Sequence, residues 1–238
     1  MATCKHCKKE LVDAACTYAR RDEVYCRPCF ERMILQGPRR EILGKKNLHK
    51  ITKAIIELRM DPYGIILCYI LNESLKRFEN PKVPRTAPHY QLYPRFPSDM
   101  SPEDRAYLTA TFPNLFLPFT GRPTLIMEPK APLHAAVEFT SALCRGESDS
   151  IERYAATEFP ATVLWEGVDV AARHVRPMLS ATLDELEQLC GLLGLRYAPM
   201  PEYPSGSVEA ALAAAIEGSG LQTWRNMVNV ADALVKKG

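Results

Sequence analysis

Cys4-x-x-Cys7 and Cys26-x-x-Cys29 place two thiol pairs in the first thirty residues, with eighteen residues between them. That spacing falls inside the C-x2-C-x(15–20)-C-x2-C window of a four-thiolate zinc site. Zinc takes four soft ligands at tetrahedral corners, and two knuckles on facing turns supply them while the intervening residues close a small hairpin. So short a segment has little core of its own, so metal binding supplies much of its folding free energy. Two further candidates, His6 inside the first knuckle and Cys16 midway between the pairs, are read as bystanders. The expected ligand set is Cys4, Cys7, Cys26 and Cys29, holding a structural zinc ion.

Three other thiols remain. Cys68 lies in the apolar run Ile65 to Leu71 and Cys190 in a Leu-rich stretch, positions where cysteine is usually a small buried hydrophobe. Only Cys144 has a cationic neighbour, Arg145, that could lower its pKa. His134 and His174 have no Ser or Cys partner recognisable in the sequence, and Glu166 and Asp169 do not make a convincing carboxylate pair.

Around these residues the chain reads as an α/β protein. A short helix is expected over Phe30 to Leu43, broken or restarted at Gly37-Pro38. Ala54 to Met60 reads as a strand, Asp61-Pro62-Tyr63-Gly64 as a turn, and Ile65 to Phe78 as an amphipathic helix, the opening half of a parallel α/β unit. Prolines crowd the stretch 80–132, which reads as loop apart from a helix over 102–110 capped near Ser101. Helical pattern returns at His134 to Leu143, and strands are expected at Ala161 to Trp165 and Ala171 to Val175. Thr182 and Glu185 open a helix through Leu193 that Gly194 closes, and 207–217 and 221–236 read as two more. Strands alternating with helices predict a mostly parallel sheet covered on both faces.

With 238 residues and 47% apolar content, the chain can fill one medium domain and a small metal module. No apolar run is long enough to cross a bilayer and the first residues lack a secretory signal's apolar stretch, so reduced thiols in cytosol or nucleus are expected. The net charge of +2 hides an asymmetry: residues 1–53 hold 13 Lys and Arg against 6 Asp and Glu, a net of +7, leaving −5 for the rest. Arg39, Arg40, Lys45 and Lys46 leave the metal module, and Arg20 and Arg21 lie on its loop. Such a patch suits a phosphate backbone.

Three patches resemble a known family. The first runs from Cys4-x-x-Cys7 through Arg20-Arg21-Asp22-Glu23-Val24-Tyr25-Cys26-Arg27-Pro28-Cys29-Phe30 to Arg39-Arg40-Glu41-Ile42-Leu43-Gly44-Lys45. The second is Val175-Arg176-Pro177-Met178 followed by Leu183 to Leu189, and the third is Thr223-Trp224 through Lys236. Together they cover about a third of the sequence and resemble the cytoplasmic tRNA 2-thiolation protein 2 family, the non-catalytic subunit of the eukaryotic wobble-uridine thiolation complex. The resemblance implies a degenerate PP-loop ATPase-like (adenine nucleotide alpha hydrolase-like) sheet over 45–238, behind a zinc module with a basic exit helix over 1–44. It also implies a cytoplasmic heterodimer with the catalytic PP-loop subunit, sulfur from a ubiquitin-related carrier, and 2-thiolation of the wobble uridine of lysine, glutamine and glutamate tRNAs. In this picture Arg20, Arg21, Arg39, Arg40, Lys45 and Lys46 meet tRNA phosphates.

Adenylating members of that superfamily carry an S-G-G-x-D-S type loop after the first strand, whose amides cradle ATP phosphates. Here the equivalent place reads Asp61-Pro62-Tyr63-Gly64, where proline removes an amide donor, tyrosine adds bulk and Asp61 puts negative charge beside phosphate. The expectation is therefore a chain that does not use ATP and is not itself an enzyme. Two other readings are an active tRNA-thiolating enzyme with an atypical loop and a LIM-like zinc interaction module, the latter disfavoured because no second cysteine pair follows Cys29 before residue 134.

Overall fold

The computed structural model describes residues 3–11, 23–43, 52–76, 90–147, 156–218 and Asn226. Five strands form one sheet in the order β2-β1-β3-β5-β4. They are β1 (Lys53–Glu57), β2 (Gln91–Arg95), β3 (Leu125–Met127), β4 (Glu158–Trp165) and β5 (Val168–Val175). β1 pairs in parallel with β2 and β3, and β3 with β5, while β4 runs antiparallel at the edge. The mostly parallel α/β sheet expected from the sequence is present. β4 and β5 form a hairpin about Glu166 and Gly167, both at positive φ, as a two-residue hairpin turn requires.

Helices α1 (Arg27–Leu43), α2 (Pro62–Lys76), α3 (Pro102–Thr111), α4 (Pro132–Cys144), α5 (Leu183–Leu193) and α6 (Val208–Gly218) complete the described fold. Ser101 caps α3 by accepting from the Asp104 amide. Thr182 and Glu185 form a reciprocal capping box on α5, and Gly194 ends that helix in the left-handed conformation.

Two local expectations are corrected. Gly37-Pro38 does not break the first helix: α1 runs unbroken for 17 residues with Pro38 inside it and buried. Burial of Phe30, Ile34, Leu35 and Ile42 in the main core outweighs the hydrogen bond that proline forfeits. Gly37 is needed there, since a Cβ would lie 2.8 Å from the Ser180 hydroxyl. The proline-rich stretch is also more ordered than expected, for it contains β2, α3, a 3-10 turn at Pro113–Phe116 and β3. Pro94 fits β2 because that strand is at the sheet edge, where a missing amide costs no ladder bond. The helix expected over 221–236 lies outside the described residues.

The β1–α2 junction is tight. The Gly64 amide donates to Asp61 Oδ1 at 3.0 Å, the Ile65 amide donates to the Asp61 carbonyl at 3.0 Å, and Pro62 takes the first helical position, where no amide is required. A Cβ on Gly64 would meet the Arg59 carbonyl oxygen at 2.3 Å. Gly64→Ala is therefore expected to destabilise the fold by about 3 kcal/mol, measured as a lower urea midpoint at unchanged m-value; an unchanged midpoint would show that the junction relaxes freely.

Candidate functional site

The four knuckle thiols converge. Cys4, Cys7, Cys26 and Cys29 present sulfurs that all lie within 4.8 Å of one another, and the Cys7 and Cys26 sulfurs are 3.7 Å apart. The first knuckle turns through Lys8, at φ 61, with the Lys8 amide donating to the Cys4 carbonyl at 2.9 Å. The Lys5 amide ties it to the Val24 carbonyl at 2.8 Å. Cys26 and Cys29 sit at the start of α1, where the Phe30 amide donates to the Cys26 carbonyl at 2.9 Å. His6 is exposed and does not belong to the quartet; Cys16 lies outside the described residues. These four residues can hold one metal ion. Burial and the neighbouring sulfurs push the Cys29 thiol up to about 12, whereas at Cys4 the effect of burial is overcome by backbone hydrogen bonds that bring it down to about 6.

The remaining described thiols do not gather into a second site. Burial pushes Cys68 and Cys190 up to about 12, with Asp61 adding at the first and Glu187 and Asp61 at the second. Cys144 is exposed, but its neighbour Arg145 is engaged with Glu147 at 2.8 Å and Glu209 at 3.6 Å. Of the basic patch, Arg40 is exposed on α1 and Arg39 half-buried. Arg20, Arg21, Lys45 and Lys46 lie outside the described residues.

A second constellation stands at the carboxyl ends of the strands, where the order reverses between β1 and β3, the place at which open α/β sheets bind ligands. Glu128, directly after β3, accepts a hydrogen bond from Arg176 Nε at 2.7 Å and lies 3.1 Å from His174 Nε2 and 3.7 Å from Lys130 Nζ. Lys130 also pairs with Glu138. Burial opposes the charge on Glu128, but the His174 contact, Arg176 and Lys130 prevail and hold its carboxyl well below the usual range. The sequence pointed to Arg176-Pro177-Met178 but missed Glu128 and Lys130, because the three-residue β3 was hidden among prolines. On the β1 side, Arg59 Nε meets Asp61 Oδ2 at 2.5 Å, while burial pushes the Asp61 carboxyl up against the pull of Arg59 and of the Gly64 and Tyr63 amides.

Two clefts open along this edge. One, of about 710 Å³, is lined among others by Arg59, Asp61, Arg95 and Asp99; the other, of about 680 Å³, lies by the N-terminal ends of α4 and α5. Between them runs the strap 195–204, pinned by the Ala198 amide donating to the Met60 carbonyl at 2.8 Å and by the Arg196 amide donating to the Tyr107 hydroxyl at 2.7 Å. Pro199 and Pro201 line both clefts. Neither family models nor curated proteins yield a match to this chain. Among solved structures it matches the U34-tRNA thiolase NcsA from Methanococcus maripaludis with its [4Fe-4S] cluster. The TM-score is 0.69 at 13% identity, over 99% of this chain and 89% of that one.

The two structures share their α/β fold, with its mostly parallel sheet. The likeness overturns the expectation of a non-enzymatic subunit, because the structure matched almost end to end is itself a tRNA thiolase. Among the described residues no helix is long and apolar enough to cross a membrane.

Two outcomes follow from these geometries. Cys26→Ser/Cys29→Ser should lose the roughly one equivalent of metal bound by the wild type, measured by elemental mass spectrometry, and amides of residues 3–11 should lose protection from hydrogen exchange; full metal content in the double variant would remove the quartet as the site. Glu128→Gln should cost about 3 kcal/mol at pH 7, since it leaves buried Arg176 without its carboxylate. The depressed Glu128 pKa makes its contribution fully present above the unfolded-state value of about 4.3 and lost as pH falls below it. The gap between wild type and variant in urea unfolding should therefore narrow from pH 5 towards pH 3, and a constant gap would mean that the charge on Glu128 is not what stabilises.

Proposed function

We propose that this chain is a tRNA-thiolating enzyme with an atypical phosphate loop, acting on the wobble uridine U34. The observation that carries the reading is the match, over nearly the whole chain, to a U34-tRNA thiolase, joined by the four-thiolate module and the basic exit of α1. The chemistry that the family resemblance implies is adenylation of the uridine by ATP, followed by displacement of AMP by sulfur from a ubiquitin-related carrier. The cleft of about 710 Å³ is of nucleotide size. Its cations Arg59 and Arg95 take over the phosphate contacts that backbone amides supply in an S-G-G-x-D-S loop. Both now have carboxylate partners, Asp61 and Glu57, so binding a phosphate exchanges one anion for another.

On the three sequence patches the proposal also takes in kinship to the tRNA 2-thiolation protein 2 family, without that family's non-catalytic role, a cytoplasmic heterodimer with a second PP-loop subunit, and the lysine, glutamine and glutamate tRNAs as substrates. Arg20, Arg21, Arg39, Arg40, Lys45 and Lys46 are its tRNA-facing residues. Zinc is the proposed metal. Four thiolates at about 2.3 Å from one tetrahedral ion stand about 3.8 Å apart, close to the 3.7 Å between Cys7 and Cys26. Thiolates that each hold a different iron of a four-iron cluster stand farther apart.

The test is the 2-thiouridine content of cytoplasmic tRNA in cells lacking the protein and in cells rescued with wild type, Arg59→Ala/Arg95→Ala or Cys26→Ser/Cys29→Ser. Loss of the nucleoside, restored by wild type alone, is expected, together with tRNA-dependent ATP/pyrophosphate exchange by the purified chain and its partner that the arginine variant lacks. Unchanged thiolation in the deletion strain would sink the assignment. Exchange that survives in Arg59→Ala/Arg95→Ala would remove the phosphate role given to these arginines.

A further inference from the structure

The second cleft, of about 680 Å³, has a different character from the first. Its floor is apolar and aromatic, built from Tyr63, Leu133, Met200, Tyr203, Ala213 and Ile216. Its rim is acidic: Asp184 and Glu187 stand one turn apart on α5, Glu202 is on the strap and Glu217 is in the last turn of α6. No Lys or Arg lines it, and none of the four carboxylates forms an ion pair with a described residue. His134, the one basic side chain in the wall, is pushed down to about 4, first by burial and then by Arg59 and Lys130, so it stays neutral at physiological pH. Beside it, at 5.2 Å between ring centroids, Tyr203 keeps a buried hydroxyl that has no hydrogen-bond partner among the described residues.

A cleft with this lining repels a phosphate backbone, so it is not a continuation of the basic surface of α1. What complements it carries positive charge and apolar surface together. A bare polyamine would answer the rim but leave the floor of alanine, methionine and tyrosine without packing. A peptide can do both, with apolar side chains in the groove and Lys or Arg heads at the edge. We infer that this groove docks a basic, apolar-bearing peptide segment of a partner protein. The walls suit such a role: α4 and α6 pack together in one apolar cluster with Ala135, Ala136, Ala213 and Ile216, and residues at the start of α4 and along α6 line the cleft side by side, so two packed helices offer the kind of groove in which a segment can lie. Charge complementarity sets its specificity, and it operates whether or not the chain thiolates tRNA.

The test is fluorescence polarisation of the full chain with a labelled synthetic peptide of alternating lysine and leucine, at two salt concentrations. Peptides of alternating lysine and serine, and of alternating glutamate and leucine, are the controls, with spermine as competitor. Two variants, Asp184→Asn/Glu187→Gln/Glu217→Gln and Ala213→Trp, remove the rim charge and fill the floor separately; circular dichroism and thermal melts verify that each is folded. Saturable binding of the lysine-leucine peptide is expected, weakened about tenfold or more by either variant and by added salt. Equal binding of the lysine-serine peptide, or its displacement by spermine as effectively as by unlabelled lysine-leucine peptide, would make the site a cation site without a peptide role and overturn the proposal. Binding that both folded variants retain would place the contact elsewhere, and absence of binding to the full chain would overturn it as well.

Discussion

Three residues hold the two halves of the sheet together. β3, Leu125–Met127, is fully buried and is the only described strand between β1 on one side and the β4–β5 hairpin on the other. With so few ladder bonds, its place depends on side-chain packing at both faces: Leu125 and Met127 belong to the main core, while Ile126 packs with Ile55 and Val163 on the opposite face. The strand also delivers Glu128 to the carboxyl edge, where Arg176 arrives at the end of β5 and closes across it. The ion pair thus sits where the ladder is thinnest, and it joins the same two strands that the short ladder joins. The second cleft takes part of its wall from this seam, since Ala131 to His134 follow directly after Glu128 and Lys130.

The metal module is bound to the sheet by the same logic of shared burial. Cys4 and Tyr25 from the knuckles, Phe30, Ile34, Leu35 and Ile42 from α1, and Ile65 to Leu71 from α2 are parts of one apolar cluster. Arg27 adds a hydrogen bond to the Leu192 carbonyl at the end of α5. Ordering the thiolate quartet therefore orders the start of α1, and through α1 one wall of the main core. A structural metal at such a place couples its binding free energy to the stability of the α/β body and not only to the knuckles.

Much of this was legible in residue patterns, and what was not has identifiable causes. The quartet could be read because thiol spacing is a nearly sufficient instruction for a metal site. The caps at Ser101, Thr182 and Gly194 were equally plain, since each satisfies backbone groups locally. Unbroken passage of α1 through Gly37-Pro38 was hidden, because it is set by burial against the turn at Ser180, a contact remote in sequence. β2 and β3 were missed for a related reason: strands of five and three residues among prolines carry too little alternation to be seen, and their identity comes from their neighbours. With β3 unseen, Glu128 and Lys130 had no strand end to mark them, and the charged cluster around Arg176 could not be assembled. The inference from the altered loop to an inactive chain failed differently, since a local substitution was asked to decide a property of the whole fold.

The strap over the carboxyl edge has one more consequence. Pro199 and Pro201 are walls of both clefts, and the segment between them and β1 is fastened by a backbone hydrogen bond from Ala198 to Met60. Prolines fix φ at two positions of the segment and so stiffen it. A ligand in either cleft that moved this shared wall would couple the two occupancies, by a free energy that is the same whichever cleft is filled first.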